Sequence, residues 1–200
     1  MAIPSLDVLA VGGSPRQHGN SDRLLKAAAE AASAAGYSAK VVFLREYEFR
    51  PCIGCEKCRK DKACTGLRDG MTLLYPKIAA ARGLILASPV HNYNVTAWMK
   101  AFIDRLYCYY DFTDDRPRNW SSRLAGQGRK AAVIAVAEQV EKKDMGFTLE
   151  AMSVPAEALG YELVGQQGVL GVFDRGKVRE RPEAMETAAG LGRKLAGALG

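Results

Sequence analysis

Three observations predict an α/β fold: a doubly wound parallel sheet with helices on both faces. Strand-like and helix-like segments alternate five times along the 200 residues, and that order packs helices against both sides of a parallel sheet. The segments 84–88 and 131–137 are continuous apolar runs, as strands buried on both faces require. Neither a repeat nor a linker interrupts the pattern, so residues 1–200 are read as one domain with a sizeable core.

Each element has its own signal. Leu6–Val11 reads as the first strand. Asn20 or Ser21 is placed to cap a helix that carries Leu24, Leu25, Ala28, Ala29 and Ala32 on one face, and Gly36 closes it. Val41–Leu44 is a short second strand, followed by an irregular cysteine-rich segment, 48–70. Met71–Ala81 is expected to be helical, with Leu74, Ile78 and Ala81 at helical spacing. The third strand is Leu84–Ser88. Val95, Trp98, Met99, Phe102, Ile103, Leu106 and Tyr107 then recur at helical period, a stripe that faces the core. Residues 111–128 are polar and unpatterned, and a loop of that length serves as a lid, a dimer arm or a surface excursion. Ala131–Ala137 is the fourth strand, Gly146–Leu159 a helix and Glu162–Leu170 the fifth strand. Pro182 opens a last helix through Met185, Ala189, Leu195 and Leu199.

Composition removes several function classes. Apolar content of 48% and charged content of 25% are those of a soluble globular chain. The longest apolar runs are far too short to span a bilayer, and the first residues show no signal-peptide pattern. No membrane partner and a cytoplasmic location are therefore expected. Thiols stay reduced there, which favours metal or redox roles over structural disulfides. The net charge is +6, yet no segment interleaves aromatic and basic residues as a nucleic-acid module does, so no nucleic-acid partner is expected. The excess is local: Lys40, Arg45, Arg50, Lys57, Arg59, Lys60, Lys62 and Arg68 stand against Glu46, Glu48, Glu56 and Asp61. Around cysteines, such a surplus is expected to favour thiolate and to offset the negative charge of a thiolate-held cluster; the alternative is a solvated basic loop.

Cys52, Cys55, Cys58 and Cys64 fall within thirteen residues, spaced C-x2-C-x2-C-x5-C, in a charged stretch that gives no reason to bury them. A C-x2-C-x2-C run wraps three corners of a [4Fe–4S] cube, with Cys64 as fourth ligand. Zinc usually takes two C-x2-C pairs across a longer spacer. Free thiols or a reversible disulfide are the third reading. Cys108, in the patterned helix, reads as a core or interface thiol.

Two loops carry the remaining chemistry. The first strand runs into Gly12–Ser21, where glycines allow close backbone approach and a helix N-terminus follows. That arrangement suits a monophosphate, with Ser14, Arg16, Asn20 and Ser21 as side-chain donors. Neither Walker A nor G-x-G-x-x-G spacing is present. The third strand ends in Ser88–Thr96, rich in hydrogen-bonding groups that suit a flat polar heterocycle such as flavin. Ligands of open parallel sheets lie beyond the carboxyl ends of the strands, at the switch point between strands one and three, and both loops fall there.

Gly13-Ser-Pro-Arg-x-x-Gly-Asn-Ser21, the cysteine run, Asp69-Gly-Met71, Ser88-Pro-Val90 and Lys100-Ala-Phe-Ile-Asp-Arg105 occur in that order. Over residues 5–107 the chain resembles the NADPH-dependent FMN reductase family, and most closely its iron-sulfur flavoprotein branch. The resemblance implies a flavodoxin-like fold with strand order 2-1-3-4-5, tightly bound FMN and a homodimer or homotetramer. It implies Ser14, Arg16, Asn20 and Ser21 around the FMN phosphate, and Pro89, Val90, His91, Asn92, Tyr93 and Asn94 along the ring. It also implies a [4Fe–4S] cluster on Cys52, Cys55, Cys58 and Cys64. Two enzyme readings differ in the donor, NAD(P)H or a ferredoxin-like protein. A cluster-free NAD(P)H-dependent FMN or quinone reductase is the first alternative. A flavodoxin-like carrier without its own substrate is the second, though flavodoxins are usually acidic and this chain is basic.

Overall fold

In chain order the computed structural model, which describes residues 6–200, runs β1 (Val8–Gly12), α1 (Asn20–Ala34), β2 (Ala39–Phe43), α2 (Lys57–Asp61) and α3 (Tyr75–Ala80). It continues through β3 (Gly83–Pro89), α4 (Ala97–Arg105), β4 (Tyr110–Phe112), β5 (Trp120–Ser122) and β6 (Lys130–Val136). It ends with α5 (Glu150–Ala158), β7 (Glu162–Val169) and α6 (Pro182–Leu199). Five strands form one parallel sheet in the order β2-β1-β3-β6-β7, which is the expected 2-1-3-4-5 once the short hairpin β4–β5 is set aside. Gly12 pairs with Phe43 on one side and Ala87 on the other, so the ends of the first three strands open onto a common edge.

Alternation along the strands divides the core in two. Leu9, Val11, Leu84, Leu86, Ala131 and Val133 face the α3–α4–α5 side with Met99, Phe102 and Met152. Val8, Ala10, Ile85, Ala87, Ala132 and Ile134 face α1 and α6 through Leu24, Leu25, Ala28 and Leu195. A period of two along each strand is what sends neighbours to opposite layers. Among the described residues, no helix is long and apolar enough to cross a membrane.

Several elements depart from the sequence expectation. Gly19, not Asn20 or Ser21, is the N-cap of α1, and no side chain caps that end. The stretch 71–81 divides into a 3-10 turn, Gly70–Leu73, and the short α3. Pro76 is the cause: it has no N–H and its ring disfavours a helical residue before it, so it sits near a helix start. The helix expected from Gly146 begins only at Glu150, because Lys142–Met145 forms a separate 3-10 turn and Gly146 takes φ +56°. In the α4 stripe Met99 and Phe102 are fully buried, whereas Trp98 remains 38% exposed. The polar stretch 111–128 contains most of the antiparallel hairpin β4–β5, knit by Tyr110 edge-on to Trp120 and by Tyr107 stacked on Phe112 at 5.0 Å. Strands of three residues are too short to leave a periodic signature.

Candidate cofactor cleft and cysteine cavity

The loops after β1 and β3 meet at the carboxyl edge of the sheet. The Thr96 hydroxyl donates to the Gly13 carbonyl at 2.7 Å and accepts from the Met99 N–H, so one residue caps α4 and ties the two loops together. Ser14 is buried and turns on its own loop, accepting from the Arg16 N–H and donating to the Arg16 carbonyl. A Cβ on Gly19 would stand 3.1 Å from the Arg16 carbonyl and 3.3 Å from the Ser14 hydroxyl, so glycine is the easy fit in this turn. The first N–H groups of α1 have no intrahelical partner and no side-chain cap.

A cleft of about 180 Å³ opens above this turn. It gathers seven of the sequence-predicted residues: Ser14, Arg16, Asn20, Ser21, Pro89, Val90 and His91. Asn92 and Tyr93 line an adjoining hollow that shares Val90 and Glu138 with it. They form a tight turn, with φ +50° and +61°, closed by paired hydrogen bonds between the His91 and Asn94 backbones. The Asn94 side chain lines neither hollow and accepts from the Val95 N–H instead. Asn20 reaches the cleft, but its amide is engaged with residues 172–178, leaving its backbone N–H as the group it can offer a ligand.

Sequence reasoning missed the far wall: Val136, Glu138, Val172, Phe173 and Arg175. They end β6 or follow β6 and β7, and in a parallel sheet every strand ends at the same edge. The positions at the ends of the fourth and fifth expected strands were the signal that could have found them.

Cys52, Cys55, Cys58 and Cys64 line a single apolar cavity of about 150 Å³, together with Ile53, Leu67, Arg105 and Tyr107. Cys58 rides on α2, whose two ends are set by Glu56 and Lys62 in left-handed conformation. The hairpin braces this segment. Asp111 pairs with Lys62 at 2.6 Å and Arg123 at 3.0 Å, and Arg123 donates to the Lys62 and Cys108 carbonyls. Arg59 pairs with Glu56, donates to the Tyr107 hydroxyl and lies over the Phe112 ring. Among the described residues no group of three or more His, Cys, Asp or Glu closes around a point fit for one metal ion.

The expected thiolate-favouring effect of the basic surplus is not found at Cys58. Burial pushes its thiol up, and the neighbouring Cys64, Cys52 and Cys55 push the same way. Arg59, Lys62 and Arg105 pair with Glu56, Asp111 and Asp69. Cys108 is a core thiol, its pKa pushed up to about 12 by burial and by Cys64 and Cys58.

Residues 6–160 match the family model of the NADPH-dependent FMN reductases. An iron-sulfur flavoprotein of Archaeoglobus fulgidus is 33% identical over 95% of this chain and 80% of its own. Another, of Methanosarcina thermophila, is 36% identical over half of this chain and 52% of that protein. Among solved structures, the NAD(P)H:quinone oxidoreductase of Methanothermobacter marburgensis superposes with a TM-score of 0.70 at 22% identity, covering 96% of this chain and 99% of that one. That last likeness shows the flavodoxin-like fold. The chain belongs to the NADPH-dependent FMN reductase family and is a flavin-dependent oxidoreductase.

Proposed function

We propose that this protein is an iron-sulfur flavoprotein. FMN binds in the cleft between the β1 and β3 loops, a [4Fe–4S] cluster sits on Cys52, Cys55, Cys58 and Cys64, and electrons pass between a donor and a small acceptor. The observation that carries the reading is the cysteine cavity. Four thiols of one short segment surround a volume of about 150 Å³ with apolar walls. Structural zinc usually takes two C-x2-C pairs separated by a longer spacer, which is not the spacing of this run. A cube with one ligand per corner needs sulfurs spread around a volume.

The flavin cleft fits its group on separate grounds. An uncapped helix N-terminus, the Gly19 turn and Arg16 offer a phosphate backbone N–H groups and positive charge. Pro89, Val90 and His91 provide a wall for a ring, and Tyr93, 61% exposed, stands at its outer end. When bound, FMN interchanges two-electron and one-electron transfer, and the cluster supplies one-electron storage. This chain's residues bind and orient those groups. Buried Arg105 places a positive charge in the cavity wall, where the negative charge of four thiolates collects. NAD(P)H and a ferredoxin-like protein are the two donor classes we propose. A homodimer or homotetramer is also proposed, supported by the exposed Trp98, Phe147 and Val154.

The test is anaerobic purification followed by assay of FMN, iron and acid-labile sulfide per chain. About four irons and four sulfides together with one FMN are expected. FMN without iron or sulfide, after anaerobic reconstitution, would leave a cluster-free FMN or quinone reductase. Bleaching of the flavin by NADPH, NADH and reduced ferredoxin, each alone, then separates the donors.

A further inference from the structure

The Asn20 amide is given over to the loop between β7 and α6. Its Nδ2 donates to the Asp174 carbonyl at 3.0 Å and to the Val172 and Phe173 carbonyls at 3.4 Å, while its Oδ1 accepts from the Val178 N–H at 3.1 Å. Arg16 adds a bond from Nη1 to the Phe173 carbonyl and lies 4.4 Å over the Phe173 ring. Gly176 turns the strap with φ +75°, in ordinary contact with the His18 carbonyl. The strap 172–178 is thereby fastened to the first turn of α1. At its exposed crest Arg175 lines the cleft beside Ser14, Gly19 and Ser21. Its guanidinium makes no hydrogen bond or ion pair with the other described residues, unlike that of Arg16.

We propose that Arg175 is the second cation on the FMN phosphate, and that the Asn20 side chain serves by holding the strap rather than by touching the phosphate. The inference rests on the reading of this cleft as the FMN site. A phosphate dianion at an uncapped helix end meets N–H groups and the committed Arg16; an uncommitted guanidinium on a fastened strap supplies the remaining charge in a fork suited to phosphate oxygens. Asn20 lies on the phosphate turn in sequence, but its bonds place its contribution one step removed.

The experiment is titration of FMN and of riboflavin into the deflavinated protein. Riboflavin carries the same ring and ribityl chain without the phosphate. Arg175→Ala should weaken FMN about 10- to 100-fold, the value of one charged hydrogen bond, and leave riboflavin affinity unchanged. Arg175→Lys should recover part of the loss. Asn20→Ala should also weaken FMN selectively, and adding Arg175→Ala to it should cost less than Arg175→Ala alone, because both act through one strap. Unchanged FMN affinity in Arg175→Ala, or equal losses for the two flavins, overturns the assignment and leaves the cleft standing. A parent protein that binds riboflavin as tightly as FMN removes the phosphate reading of the cleft, and the assignment falls with it.

Discussion

Arg105 and Asp69 meet as a two-point ion pair, Nη1 to Oδ2 at 2.8 Å and Nη2 to Oδ1 at 3.1 Å, with the guanidinium almost wholly buried. The pair closes the neck of the cysteine segment. Arg105 also donates to the Arg50 carbonyl, just before Cys52, while Asp69 accepts from the Arg50 and Met71 N–H groups. One α4 side chain thus holds both ends of the loop that carries the four thiols.

Asp69→Asn should cost about 3–5 kcal/mol, the range for leaving a buried partner unpaired. It should also remove part of the protein's acid sensitivity. Burial opposes ionisation of Asp69, but Arg105 and the two backbone N–H groups outweigh it and hold the carboxyl below its ordinary range. A carboxyl depressed in the folded state stabilises above its unfolded pKa, and that stability is lost as pH falls through the folded value, here below about pH 4. Urea titrations at neutral pH and near pH 3 should show a smaller acid loss in Asp69→Asn than in the parent. Asp7 and Asp111 are held down as well, so the difference between the two proteins is the readout. Equal acid losses would count against the pair.

On the proposed reading, Gly66→Ala should separate cluster from flavin. A Cβ on Gly66 would stand 2.4 Å from the Cys55 sulfur. Cys55 is exposed and its side chain can swing away at little cost to the fold, but it then leaves the cavity. Iron and sulfide per chain should fall well below the parent's, with FMN content and thermal midpoint nearly unchanged. Full iron content in the variant would show that Cys55 is not held where the cavity places it.

The central strands were legible because Leu84–Ser88 and Ala131–Ala137 are continuous apolar runs, whereas their order in the sheet came from the family resemblance. That the four cysteines share one cavity was legible from their spacing. Other features depend on contacts between distant segments, which leave no local trace. Nothing near Asn20 announces that its amide serves residues 172–178, and the cysteine run does not reveal that Arg123 and Asp111 brace it. Trp98 was placed in the core by period, yet period cannot say how far a helix face wraps before it meets solvent.

Arg45→Ala should weaken FMN binding in a pH-dependent way. Asp22, in the first turn of α1, is nearly fully buried, and burial raises its pKa while Arg45, at 2.9 Å, pulls it back. Arg45 also donates to the Ser14 carbonyl. Without it, a carboxylate faces the phosphate turn unneutralised, and FMN affinity should drop on the order of tenfold near pH 8, equal to about 1.4 kcal/mol. Lowering the pH protonates a carboxyl whose pKa is raised, so the deficit relative to the parent should shrink towards pH 5. A deficit that does not change with pH would mean that the lost Ser14 contact, not the charge, is responsible.

Two glycines of α6 should respond to the same substitution in opposite directions. A Cβ on Gly192 would fall 2.0 Å from the Ala28 carbonyl of α1, a backbone atom that no rotamer change can move. Around Gly197 nothing lies within 4 Å. Gly→Ala inside a helix gains up to about 1 kcal/mol through propensity, and Gly197→Ala should show that gain. At Gly192 the overlap forces α1 and α6 apart, and a loss of about 1–3 kcal/mol is expected from overpacking. The N-terminus of α1 carries the turn proposed to hold the FMN phosphate, so Gly192→Ala should also weaken FMN, whereas Gly197→Ala should not. Denaturant midpoints and FMN titrations of the two variants read both effects. A stabilised Gly192→Ala would mean that the helices are not in backbone contact there.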